Sequence, residues 1–328
     1  MDKRETITAS NLGPIVSLLT WIMTATVLLA VAIKFTLSSI IPGRRNSEDV
    51  ALILATIFSV GFTVSISLAV PNGIGRHQDT LSSYQLESMR KAIYAADILF
   101  ILVSTCAQAS VLFFLHEVTP ELLHRRTIYG TAALIILVST SSIFVAAFSC
   151  PPPDVWRSME GQCIDQLSFW EAFAGINLFI ESILVLLPIL IVYPLLMGRI
   201  RKIAVVSYFA VRLLVIGAFV AQICEAQSLK PIVRDRTFHA WKLILTMVFV
   251  QALSIITVCI PYIRTVLLVV ESGMIQTGHL RLQSRHGTEP EIHLQYIPAS
   301  DTCAALASNR SAKIEEPPIS YGVRVDNN

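Results

Sequence analysis

Seven long apolar stretches divide the chain, approximately Ile15 to Ile41, Val50 to Val70, Ala92 to Leu115, Ile128 to Phe148, Ala172 to Met197, Ile203 to Ile223 and Leu243 to Val270. Polar segments separate them. Lipid offers no partner to a backbone N–H or C=O, so about 20 apolar residues cross a bilayer as a helix that satisfies its own hydrogen bonds. The pattern predicts an all-α polytopic membrane protein, a seven-transmembrane-helix bundle over residues 15–270. A polar N-terminal tail, residues 1–14, precedes it. The apolar pattern ends at Glu271, and the polar composition of 271–328 predicts a disordered tail. The first run exceeds the roughly 7 to 15 apolar residues of a signal-peptide core, so it is expected to be retained as a span.

Composition narrows the partners. The chain is 54% hydrophobic and 15% charged, against roughly 25% charged in a soluble domain. Its mean hydropathy is +0.64. The net charge of +2, without a dense Lys/Arg block, excludes nucleic acid as an expected partner. The partner implied is a lipid bilayer, either the plasma membrane or an endomembrane. Charge also bears on orientation. With the N-terminus outside, the inner loops are PGRRNSED, HEVTPELLHRR and GRIRK, short and rich in Arg. The positive-inside bias thus favours an extracellular N-terminal tail and a cytoplasmic C-terminal one.

The loop between the fourth and fifth runs reads CPPPDVWRSMEGQC. Of the six cysteines in the chain, Cys150 and Cys163 are the two that share a loop. A disulfide between them would contribute roughly 3 kcal/mol through loop closure and would mark the oxidising side. Two reduced cysteines are the alternative.

Around this loop the sequence resembles the fungal integral membrane proteins of the rhodopsin-domain family, including the satratoxin-cluster type. The similarity is carried by Cys150, Pro152, Trp156, Gly161 and Cys163, by Glu181 seven residues before Pro188, and by the basic stretch Arg199 to Lys202. Gly73, Gly75 and His77 match the family's Gly-x-Gly-x-His, and Glu48 and Asp49 stand where paired acids are common. The resemblance covers about residues 12 to 270. The chain departs from the pattern in the third span, where Gln108, Ala109 and Ser110 replace Lys-x-Ser and Glu117 replaces an Arg. It departs again at Val250, beside Gln251, where the family often has an acid. The resemblance implies a seven-helix fold, a receptor-like or accessory membrane role, fungal origin and a link, in some relatives, to secondary-metabolite biosynthesis. It does not imply retinal. A Schiff base needs a lysine within the last span; Leu243 to Val270 has none, and Lys242 lies at its outer edge. No cofactor is expected.

Ionisable residues inside spans are expensive and are therefore candidates for function. Glu181 and Arg212 lie near the midplane of the fifth and sixth spans. Three readings are open: an ion pair locking two helices, a polar ligand site or ion pathway, and separate groups. Asp97, roughly 8 Å below the outer end of the third span by helical rise, is expected to join His77 and Glu87 in an outer polar pocket. These residues contain no metal-ligand spacing, so no metal is expected, and no nucleophile or nucleotide motif can be read. If the protein is instead an enzyme or transporter for a hydrophobic metabolite, His77, Asp97, Glu181 and Arg212 are the catalytic candidates. Asn309 begins the one glycosylation sequon; on a cytosolic tail it carries no glycan. The sequence does not fix oligomeric state.

Overall fold

The computed structural model describes residues 12–40, 47–76, 81–118, 122–150, 163–192, 211–231 and 238–260. They form seven helices: α1 (Gly13–Ile40), α2 (Ser47–Ala69), α3 (Ser83–Val118), α4 (Leu122–Ala147), α5 (Gln166–Val192), α6 (Leu213–Leu229) and α7 (Phe238–Ile260). Six are long and apolar enough to cross a membrane, and α6 is described over 17 residues. The chain is a multi-pass membrane protein. All described helices belong to the unit Met1–Ser272; the C-terminal tail, with Asn309, lies outside the described residues, as do His77, Pro152, Trp156, Gly161 and the Arg199 to Lys202 stretch.

Several helices run further than their apolar stretches. α3 begins nine residues earlier than its hydrophobic pattern, at Ser83, because a polar first turn is held by a capping box. The Ser82 Oγ accepts from the Gln85 N–H at 3.3 Å, and the Gln85 Oε1 accepts from the Ser82 N–H at 3.1 Å, satisfying two groups that a helix start leaves open. α5 likewise starts at Gln166, ahead of Ala172, just after Asp165, whose Oδ2 accepts from Ser168 Oγ at 2.7 Å. These extensions gather at the end of the bundle where α4 meets α5.

The disulfide Cys150–Cys163 lies at that end. Beside it the Ile164 N–H donates to the Ser149 carbonyl at 3.0 Å, so the chain leaving α4 is tied twice to the chain that starts α5. The turn after α2 reaches the same end. Gly73 and Gly75 have φ of +135° and +77°, conformations that L side chains resist. A Cβ on Gly75 would also sit 2.8 Å from the backbone N of Gly13. The Leu12 N–H donates to the Gly75 carbonyl at 3.3 Å, so this glycine lets the α2 turn touch the start of α1. That is the physical content of the two glycines in the family motif.

Two apolar clusters fill the interior. One, near the disulfide, contains Phe62, Ile66, Phe100, Trp170, Phe173, Phe219 and Met247. The other, toward the opposite end, contains Leu52, Leu112, Ile180, Leu184 and Ile255. Between them the helices place buried polar side chains, among them Thr24, Thr63, Ser104, Gln108, Asn177 and Gln251. The Thr24 and Thr63 hydroxyls meet at 2.6 Å between α1 and α2, and those of Thr105 and Ser139 at 2.7 Å between α3 and α4. Lipid supplies little drive for apolar helices to associate, so short polar contacts of this kind help hold them together.

Candidate functional site

At the heart of the polar layer, Glu181 of α5 meets Arg212, the residue that precedes α6. Arg212 Nε donates to Glu181 Oε2 at 2.7 Å and Nη2 donates to Oε1 at 3.2 Å, the forked geometry that suits guanidinium to carboxylate. Glu181 is fully buried and Arg212 is 3% exposed. Charges so deep are tolerable only when paired and hydrogen-bonded, and two amides complete the set. Gln108 Nε2 of α3 donates to Glu181 Oε1 at 3.1 Å and to Asn177 Oδ1 at 3.0 Å, while Asn177 Nδ2 donates to the Phe173 carbonyl at 2.8 Å. One network thus binds α3, α5 and the start of α6. Of the three sequence readings of Glu181 and Arg212, separate groups is overturned, because the two side chains are in direct contact.

Sequence reasoning missed the two amides as participants. Gln108 was visible as a departure from the family's lysine; Asn177 had a weaker signal, a polar residue one turn before Glu181 in an apolar run. Pro188 lies two turns further along α5, where it leaves the Leu184 carbonyl without its helical donor.

A second ionic centre occupies the opposite end of the bundle from the disulfide. Lys34, fully buried in α1, places Nζ 2.8 Å from Glu48 Oε1 and 3.0 Å from Asp49 Oδ1 in the first turn of α2. The Ser110 hydroxyl of α3 donates to the Glu48 carbonyl at 3.1 Å. Lys34 is the residue the sequence reading overlooked: a lysine within the first apolar run, followed fourteen residues later in sequence by the first of two adjacent acids, meets the criterion for an intramembrane charge. The acids at 48 and 49 now have a role as its counter-ions. Gln108, in place of the Lys of Lys-x-Ser, and Ser110, at its Ser, connect α3 to the two centres.

Asp97 sits toward the disulfide end, nine-tenths buried. Its Oδ2 accepts from Gln166 Nε2 of α5 at 2.8 Å. One turn nearer the rim, the Tyr94 hydroxyl donates to the Ala147 carbonyl of α4 at 3.2 Å. The expected pocket with Glu87 does not form. Glu87 is about 15 Å away along the same helix and pairs with Lys91 at 2.8 Å on an exposed face. Glu171 bonds Lys230 and Gln227 at the surface. Among the described residues no three His, Cys, Asp or Glu side chains gather closely enough to hold a metal ion.

A helical membrane bundle with one disulfide-tied end and two buried ionic centres defines the class of protein. The profile of the fungal rhodopsin domain matches residues 33–269, and the chain belongs to that family. No curated protein matches it.

Proposed function

We propose that this chain is a receptor-like or accessory component of its membrane, with the disulfide-bearing end facing the oxidising side. One observation carries the reading: its buried charges are engaged in contacts between helices. Arg212 and Glu181, with Gln108, join α6, α5 and α3, and Lys34 joins α1 to α2. Such an arrangement suits a bundle whose helices shift against one another when a small hydrophobic ligand binds, because moving one helix disturbs a costly ion pair. It suits turnover less well, since neither centre leaves a nucleophile beside a base.

Deletion of the gene in the fungus tests this. The expected outcome is loss of a response to an external cue with an unchanged metabolite profile, restored by the natural chain and not by Glu181→Gln. Turnover of a metabolite by the purified protein, abolished by Glu181→Gln, would favour the enzyme reading instead. The link to secondary metabolism rests on the family resemblance, and the same metabolite profile tests it. The reading includes no retinal: Lys242 is exposed and lies 6.0 Å above the Trp241 ring, on the first turns of α7 rather than inside the bundle.

A further inference from the structure

The end of the bundle opposite the disulfide carries a contact that neither ionic centre uses. His116 stands in the last turn of α3, and Arg125 and Tyr129 stand one turn apart at the start of α4. The imidazole Nε2 lies 2.9 Å from Arg125 Nη2 and 3.0 Å from the Tyr129 hydroxyl, with the two rings tilted at 5.6 Å. A guanidinium keeps its charge and has only donors. The Arg125 bond therefore requires a lone pair on Nε2, which the neutral ring provides when its proton is on Nδ1. The Tyr129 hydroxyl can donate or accept, so it sets no such condition.

Protonation exchanges the partners. A proton added at Nε2 sets N–H against N–H, so Arg125 loses its acceptor, while the same Nε2–H can donate to the Tyr129 oxygen. The last carbonyls of a helix favour a cation beside them, so each protonation state of His116 has a bonding arrangement. Other charged groups on the surrounding elements are Glu117, next on α3, and Arg126 of α4. From α2, Glu48 and Asp49 face Lys34, and α5 has no charged residue beyond Glu181. His116 is half-buried and Tyr129 is exposed, which leaves the ring open to solvent protons.

The helix concerned is the one that touches both ionic centres. Gln108 of α3 donates to Glu181, and Ser110 donates to the Glu48 carbonyl; His116 follows Gln108 by about two turns. We infer that His116 is a proton-responsive latch between α3 and α4. Neutral, it holds Arg125; protonated, it turns to Tyr129 and frees the start of α4 from the end of α3. The latch depends neither on a ligand nor on which side this end faces, so it stands or falls apart from the receptor reading.

The test uses the full chain in lipid nanodiscs with isotope-labelled histidine, the His116 signals being those that His116→Gln removes. The nitrogen shifts of the neutral ring are expected to place its proton on Nδ1. The thermal midpoint is then followed from about pH 8 to about pH 5, the range in which imidazoles change charge. The natural chain is expected to fall by about 2–4 °C more than His116→Gln, whose amide oxygen accepts from Arg125 throughout, the scale of one hydrogen bond. Arg125→Gln, whose amide can donate to the neutral ring or accept from the protonated one, is expected to lose the same extra fall. It decides the matter by itself if His116→Gln does not fold. His239→Gln, at the disulfide-bearing end, is expected to keep the extra fall. The latch is overturned if the neutral ring carries its proton on Nε2, if the natural chain falls no further than His116→Gln or Arg125→Gln, or if His239→Gln removes the difference as fully.

Discussion

Within the interior, the free energy of single residues is dominated by pairing. Arg212 is buried against Glu181 with two hydrogen bonds, and removing either partner leaves the other charged in a medium that cannot solvate it. Glu181→Gln is expected to destabilise the protein by about 3–5 kcal/mol, the cost of an orphaned buried charge. Pairing it with Arg212→Met is expected to recover much of that loss. A double-mutant cycle on unfolding in detergent reads the difference, and additive effects would show that the pair is not coupled. Glu181 and Arg212 were identifiable from sequence as charges in apolar runs. Gln108 and Asn177 were not identifiable as their partners, because a bond across 69 or 73 residues leaves no mark on either segment.

Individual helices show a similar division. The apolar stretches locate the helices, but α3 and α5 begin earlier, in polar sequence: a capping box of Ser82 and Gln85 opens α3, and the Asp165 carboxylate holds the Ser168 hydroxyl at the start of α5. The family's Gly-x-Gly was legible as a motif and its reason was not. Gly75 combines positive φ with close approach to Gly13, and the second half of that requirement involves a segment more than 60 residues away in sequence. Gly75→Ala is therefore expected to cost about 1–3 kcal/mol, a strained backbone conformation plus a displaced helix start. A lowered thermal midpoint measures it. An unchanged midpoint would mean that the turn after α2 rearranges freely.

Considered whole, the molecule has two unlike ends. The disulfide and the turn glycines gather at one, and the Lys34 centre at the other. If the disulfide-bearing end faces the oxidising side, a helical bundle with this connectivity puts the C-terminal tail in the cytosol. Expression in a glycosylating host is then expected to leave Asn309 unmodified, while a sequon introduced into the loop between Cys150 and Cys163 gains a glycan that glycosidase digestion removes. The reverse pattern on a gel would invert the topology.

The amino-acid pattern alone established that the chain spans a membrane many times, carried the marks of the fungal rhodopsin domain, and put Cys150 and Cys163 in one loop; that they bond was settled by the structure. Each of these depends on local composition, spacing or motif. Tertiary structure decided which helices are central and which charges meet. The spans are similarly apolar, yet 72% of the most apolar part of α7 is buried inside the bundle against 28% of that of α1. Lipid tails are as apolar as a leucine side chain, so hydrophobicity places a helix in the membrane without choosing its neighbours. Buried polar groups make that choice, because each must find a partner, and the partner lies on another helix.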